Sequence, residues 1–309
     1  MVRGASALAN RVGLSPLVVG LTIVALGTSA PELAVSSQAA LTGRADLAVG
    51  NVVGSNIFNV LLILGVSALV APLAVQSRLV RREVPLMIAS TVLLLFMALN
   101  GGVGPVEGGL LLVGAVAYTS WSVMESRRSE ARSDGGAASG PAGAFVDVSE
   151  SWTKVMLAVL ALGGGLVLLV LGGRWLVDAA ASTARSLGVD ELTIGVTVIA
   201  AGTSLPEVAT SVMAAIRGQR DIAVGNVVGS NLFNVLGIVG VAAALSPEGI
   251  RVAPAALRFD IPIMIAVSVA CLPIFFTNWS IGRWEGLMLL GYYGAYVAYL
   301  LLAATQHDA

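Results

Sequence analysis

Ala48 to Asn56 reads AVGNVVGSN, and Ala223 to Asn231 reads AVGNVVGSN again, residue for residue. Upstream of each copy stands a second shared motif. Gly27-Thr28-Ser29-Ala30-Pro31-Glu32 matches Gly202-Thr203-Ser204-Leu205-Pro206-Glu207. Downstream, Phe58-Asn59-Val60-Leu61 returns as Phe233-Asn234-Val235-Leu236. The whole of Val19–Gly65 aligns without a gap on Ile194–Gly240, at an offset of 175 residues. Agreement of this length reports a duplicated gene, so the chain divides into two homologous halves.

The surroundings of these motifs are apolar. Of 309 residues 57% are hydrophobic and 11% charged, with a mean hydropathy of +0.90. A soluble domain carries about 25% charged residues, so this chain has too few to cover a water-facing surface. Its apolar residues come in blocks close to the roughly 20 residues that a helix needs to cross hydrocarbon. The sequence therefore predicts an all-α polytopic membrane protein. The first half, residues 1–124, holds four clear spans: Leu14–Leu41, Leu47–Val70, Val84–Leu99 and Val106–Met124. The second half, residues 154–309, holds five: Lys154–Ser186, Leu192–Ile216, Ile222–Leu245, Leu257–Phe276 and Arg283–Leu302. Between them lies a linker, 125–153, whose polar stretch Glu125–Ser151 is rich in Ser, Gly, Ala and charges and reads as flexible. Val2–Asn10 aligns only with the end of the fifth-from-last span, near Val177–Arg185, so the first helix of the first half is largely missing. About nine full spans are expected.

An odd number of spans per repeat turns the second half upside down relative to the first. The basic residues agree. Arg11, Arg78, Arg81, Arg82, Arg127, Arg128, Arg132, Lys154, Arg217, Arg220 and Arg283 fall on one side. Arg44, Arg185, Arg251 and Arg258 fall on the other. The richer side is expected in the cytoplasm, with the linker inside and the C-terminus outside. Inverted repeats with key residues near the midplane are a mark of secondary transporters.

Glu32 and Glu207 carry the sharpest chemistry. A carboxylate in the middle of a span costs at least about 2.5 kcal/mol, and the central parts of these spans offer no Lys or Arg as partner. The bland reading is a protonated or hydrogen-bonded glutamate; two symmetric copies favour a bound cation. Thr28, Glu32 and Ser36 share the spacing i, i+4, i+8, as do Thr203, Glu207 and Ser211, so each set is expected to line one helical face. Pro31 cannot donate to Gly27, nor Pro206 to Gly202, which is expected to free carbonyls around Ala25–Gly27 and Ala200–Gly202. Asn51, Ser55 and Asn59 form a second polar face, repeated as Asn226, Ser230 and Asn234. For Asn51, Asn56, Asn226 and Asn231, hydrogen bonding between helices is the plausible structural alternative. Gly50, Gly54, Gly225 and Gly229 are read as sites of close helix approach or local unwinding. All these candidate ligands are oxygens. Hard cations such as Ca²⁺ and Na⁺ take such a set, whereas zinc or copper would take nitrogen or sulfur. Two ionised glutamates and two neutral amides make a site of charge −2, which one Ca²⁺ or two Na⁺ neutralise.

The paired G-T-S-x-P-E and G-N-x-x-G-S-N-x-x-N segments resemble the α-repeats of the cation/calcium exchanger superfamily, and most closely its prokaryotic sodium/calcium exchanger-like branch. The resemblance spans nearly the whole chain. It implies ten helices in two inverted halves of five, with Glu32 and Glu207 coordinating Ca²⁺ at the centre. By motif position, Thr28, Ser29, Ser55, Thr203, Ser204 and Ser230, with the carbonyls of Ala25 and Ala200, would serve flanking Na⁺ sites. Asn59 and Asn234 would complete the diamond. Some relatives carry Asp where Asn234 stands, a choice that affects the coupling ion. In the family the first and sixth helices slide across the core to switch access.

The expected function is thus an antiporter of the cytoplasmic membrane that exchanges Ca²⁺ for Na⁺ by alternating access. A calcium/proton exchanger is the nearest rival. A channel would need a continuous polar pore, and an intramembrane hydrolase at Ser29 or Ser204 would need a His or Lys in the bundle to activate the serine. The lone histidine, His307, sits in the polar tail, and the lone cysteine, Cys271, in an apolar block. No cofactor and no enzymatic activity are expected. The expected partners are inorganic cations and the lipid bilayer, with neither nucleic acid nor an obligatory protein partner.

Overall fold

The computed structural model describes residues 14–43, 45–134, 152–186, 200–277 and 279–307. The stub Val2–Asn10 and the start of the span Leu192–Ile216 lie outside them. Every substantial element is a helix, as a chain that must satisfy its own backbone in lipid requires. The first half runs α1 (Pro16–Thr28), α2 (Ala30–Leu41), then α3, which starts at Ala45 and continues through a π-helical turn at Asn59–Ile63 to Val70. Strand β1 (Leu73–Ala74) follows, then α4, a π-turn at Leu79–Glu83 leading into Val84–Ala98, then β2 (Gly102–Val103) and α5 (Pro105–Asp134). The second half opens with α6 (Trp152–Ser186), then α7 (Ala200–Thr203) and α8 (Leu205–Ile216). After these come α9 (Arg220–Leu245), β3 (Ile250–Arg251), α10 (Ala256–Phe276), β4 (Ser280–Ile281) and α11 (Arg283–His307).

Two of these helices form the centre. The apolar windows of α3 and α9 are each 78% buried, against 17% for α5 and 28% for α10. The outer helices meet lipid with side chains such as Val113, Val116 and Phe276, while the inner pair is shielded from it. That shielding is what lets α3 and α9 carry so many amides and hydroxyls.

Glycine sets how closely the inner helices approach. A Cβ on Gly229 of α9 would stand 2.4 Å from the Leu21 carbonyl oxygen of α1, and one on Gly225 would stand 2.9 Å from that of Leu17. Backbone therefore rests on backbone, as small residues allow in membranes. Residues 192 and 196, which repeat Leu17 and Leu21 in the sequence, lie outside the described residues. Further out, Gly65 of α3 crosses Gly286 of α11, and Gly240 of α9 crosses Gly108 of α5. The same junction thus occurs twice, each time between an inner helix of one half and the last helix of the other.

Two short ribbons fasten the halves together. Strand β1 pairs antiparallel with β4, Leu73 opposite Ile281, and β2 pairs with β3, Gly102 opposite Arg251. Since α4 lies between β1 and β2, the ribbons sit at its opposite ends.

The structure departs from the sequence reading in three places. Glu125–Asp134 is the end of α5, not flexible chain. The segment is made of good helix formers, and the first helix breakers are Gly135 and Gly136. Glu125 is also anchored to Arg82 of α4, and Ser126 Oγ accepts from the Ser15 amide at 2.9 Å. Secondly, α4 begins several residues before Val84, because Arg81, Arg82 and Glu83 form a π-turn that continues the helix into the interface. Thirdly, Leu14–Leu41 is broken. Segments α1 and α2 meet at 47°, and Thr28, Glu32 and Ser36 share a face only across that bend. Among the described residues, four helices are long and apolar enough to cross a membrane, or five if the bent pair counts as one.

Candidate functional site

The break in the first helix falls at Ser29, whose φ of −80° and ψ of 9° leave the helical region; Ser204 repeats it with −88° and 6°. Proline follows at the second position of each new helix, where a missing N–H costs nothing, and glutamate stands third. Glu32 and Glu207 therefore lie in the first turn of α2 and α8, against amides with no carbonyl partner in their own helix and the positive end of the helix dipole. Both are 1% exposed.

Ser29 and Ser204 occupy the N-cap positions, yet neither hydroxyl caps its own helix. Each crosses to the other half. Ser29 Oγ donates to Glu207 Oε1 at 2.9 Å, and Ser204 Oγ donates to Glu32 Oε1 at 2.9 Å. Thr28 and Thr203 also interact with the carboxylates of Glu207 and Glu32 respectively. Ser204 Oγ lies 3.3 Å from Ser55 Oγ, which ties the glutamate of α2 to α3. One turn further along α3 stands Asn59.

The amides are held by one another. Asn59 Nδ2 donates to Asn231 Oδ1 at 2.9 Å, and Asn234 Nδ2 donates to Asn56 Oδ1 at 2.9 Å. Asn56 and Asn231 in turn donate to each other's backbone carbonyl at 3.3 Å. Their amides also face thioethers, Met264 Sδ at 3.5 Å from Asn56 and Met87 Sδ at 3.6 Å from Asn231. The network consumes donors and orients Asn59 and Asn234. It leaves Asn59 Oδ1 and Asn234 Oδ1 buried without a partner, beside Glu32 Oε2, Glu207 Oε2 and Ser230 Oγ in the same condition. A buried polar atom without a partner costs about 1–3 kcal/mol, and for a charged group more. Five such oxygens, two of them from carboxylates, thus lie buried on the facing helices of the two halves.

Among the predicted ligands, then, Glu32, Glu207, Asn59, Asn234, Ser55, Ser230, Ser29 and Ser204 gather in the buried centre. The Ala25 carbonyl does too, but it already accepts from the Ser29 amide at 3.0 Å and from the Thr28 hydroxyl at 3.3 Å. Thr28 Oγ1 also lies 3.2 Å from Asn226 Oδ1, and Asn226 Nδ2 donates to Ser211 Oγ at 2.9 Å. Asn51 makes the corresponding bond to Ser36 Oγ at 3.0 Å. Asn51, Asn56, Asn226 and Asn231 thus bond between helices and do not face the site. Ala200 opens α7, and Thr203, half-buried, closes it. Sequence reasoning missed Met87 and Met264. Their signal was positional: each stands two residues after a proline, Pro85 or Pro262, in matching helices.

The sodium/calcium exchanger protein family matches residues 1–124 and 157–302. The sodium/calcium exchanger MaX1 of Methanosarcina acetivorans is 33% identical over 97% of this chain and 93% of its own. A putative antiporter, CaxA, of Alkalimonas amylolytica is 39% identical over 98% of this chain and 93% of its own. Among solved structures, the sodium-calcium exchanger NCX_Mj soaked with 10 mM Na⁺ and zero Ca²⁺ superposes with a TM-score of 0.80 at 27% identity, covering 96% of this chain and 91% of that one. With a polytopic helical frame and two crossed glutamates at its centre, this chain belongs to the sodium/calcium exchanger family.

Proposed function

We propose that this protein is a secondary active antiporter that exchanges Ca²⁺ for Na⁺ across the cytoplasmic membrane by alternating access. The observation that carries the reading is the set of five buried, unpartnered oxygens, two of them from carboxylates, at the junction of the two halves. One Ca²⁺ or two Na⁺ would satisfy the same charge, so the two ions compete for one site. Ca²⁺ takes six to eight oxygens, more than the five unpartnered here, and the hydroxyls of Ser29, Ser204 and Ser55 stand ready to turn toward it. Sodium–calcium exchange by relatives such as MaX1 and NCX_Mj, as their names state, is in keeping with this reading.

The architecture we propose is two inverted repeats, with about nine full spans in this chain. Ribbon pairing supports the inversion. Strand β1 follows α3 and pairs with β4, while β3, which follows the matching α9, pairs with β2 beyond the far end of α4. The exits of α3 and α9 therefore lie at opposite ends of the bundle. The excess of Lys and Arg beside β1 and the linker supports an orientation with that end in the cytoplasm and the C-terminus outside.

Sodium-loaded everted membrane vesicles test the function through ⁴⁵Ca²⁺ uptake. Uptake driven by an outward sodium gradient, and lost in both Glu32→Gln and Glu207→Gln, is the expected result. Uptake driven only by a pH gradient would replace sodium with protons as the coupling ion. Silence under both gradients would overturn the antiporter reading.

A further inference from the structure

At the start of α4, on the side of the linker, Ser77, Arg78, Arg81, Arg82 and Glu125 line an open cleft of about 260 Å³. Three guanidiniums face two carboxylates there. Arg82 pairs with Glu125 of α5, and Arg78 Nε donates to Glu83 Oε1 at 3.4 Å. Glu83 is fully buried and also accepts from Tyr118 Oη at 2.7 Å. This leaves Arg78 Nη2 buried with no partner, and among the described residues Arg81 forms no ion pair. The cleft therefore holds more positive than negative charge, and one of its donors is unsatisfied.

Its depth is fixed by aromatic residues. Arg81 lies 6.0 Å from the Trp279 ring and Arg82 lies 6.0 Å from the Trp121 ring. Both indoles are exposed, and tryptophan in that position marks the headgroup level of a bilayer. Trp279 has a φ of 51°, uncommon for a bulky side chain, and is held there by the bond from the Val75 amide to its carbonyl at 2.8 Å. Just beyond the cleft, Leu86 and Phe276 are exposed and apolar, a surface for acyl chains.

The matching turn of the second half lacks two of the three arginines. There Ala255 stands for Arg78 and Phe259 for Arg82, although Arg258 and Asp260 keep the places of Arg81 and Glu83. Phe259 stacks on Tyr299 at 4.2 Å, and Tyr296 Oη bonds Asp260 Oδ1 at 3.0 Å. The carboxylate–tyrosine latch is shared by both halves, and the surplus arginines belong to one.

We infer that Arg78 and Arg81, with Ser77, bind the phosphate of an anionic phospholipid from the leaflet on the linker side. Guanidinium groups bind phosphate through paired N–H donors, and basic pockets between membrane helices on the cytoplasmic side receive anionic headgroups. Native mass spectrometry of the purified protein, titrated with phosphatidylglycerol or phosphatidylethanolamine, tests this. The wild type should retain phosphatidylglycerol preferentially. Affinity should fall about fivefold in Arg81→Gln and roughly thirtyfold in Arg78→Gln/Arg81→Gln, and stay unchanged in Arg258→Gln. Arg81→Gln leaves the Arg78–Glu83 contact intact, so it keeps the test open if the double variant does not fold. Equal retention by wild type and Arg81→Gln would overturn the proposal. So would full displacement of the lipid by millimolar inorganic phosphate, which would make the cleft a site for the free ion.

Discussion

The centre of the bundle and its two rims treat the duplication differently. At the centre the halves are near-copies. Glu32 and Glu207, Ser29 and Ser204, Asn56 and Asn231, and Asn59 and Asn234 each use the same atoms at the same distances. At the rims the frame is kept, and the chemistry diverges: Glu83 and Tyr118 sit among three arginines, while Asp260 and Tyr296 sit among phenylalanine and tyrosine. In the alternating-access reading proposed above, a site that serves an ion from either side gains from symmetry, whereas two rims that meet opposite faces of a membrane have no reason to match.

Four measurements would break or sharpen that contrast. The largest effect belongs to the glutamates. Glu32→Gln and Glu207→Gln should each weaken Ca²⁺ binding at least about 100-fold, since removing one member of a buried charge set costs roughly 3–5 kcal/mol. Calorimetric titration should give near-equal losses, and a tenfold disparity would break the symmetry of the centre. Next comes Gly229→Ala, whose Cβ meets the Leu21 carbonyl. It should destabilise the protein by about 2–3 kcal/mol in thermal unfolding, whereas Gly294→Ala, on an open helix face, should be neutral or slightly stabilising.

A smaller and equal loss is expected from the amide clamps. Asn56→Ala and Asn231→Ala each leave a buried donor unmatched, at a cost of about 2 kcal/mol of stability, and release Asn234 or Asn59 from its fixed orientation. Ion affinity, read in the same titration, should fall with stability in both variants. The rims supply the smallest effect and the opposite pattern. Tyr118→Phe removes a donor from a fully buried carboxylate and should cost about 1.5 kcal/mol, while Tyr296→Phe, beside the half-buried Asp260, should cost about 0.5 kcal/mol. Equal costs in chemical unfolding would show that the rims are as symmetric as the centre.

Much of this was legible in the sequence for particular reasons. The repeated AVGNVVGSN and the two G-T-S-x-P-E motifs announced the duplication, and carboxylates in apolar runs announced a buried polar centre. The Pro31 and Pro206 positions pointed to a disturbed helix. What remained hidden were contacts between distant residues. The proline argument led to free carbonyls near Ala25, whereas the Ser29 amide and Thr28 hydroxyl occupy that one. Composition marked Glu125–Ser151 as flexible chain, because it cannot register that Arg82 holds Glu125 and extends α5 to Asp134.

By itself, then, the sequence determined the membrane class, the two halves and the identities of the central oxygens, because hydropathy, repetition and charge are local properties of the chain. Only the tertiary structure decided which oxygens stay free. Ser29 serves the glutamate of the other half instead of its own helix, and Asn56 and Asn231 spend the donors of Asn234 and Asn59 so that their carbonyls stand unpartnered. Which atom is left without a hydrogen bond depends on every neighbour that folding brings within 3 Å, and no single stretch of chain carries that information.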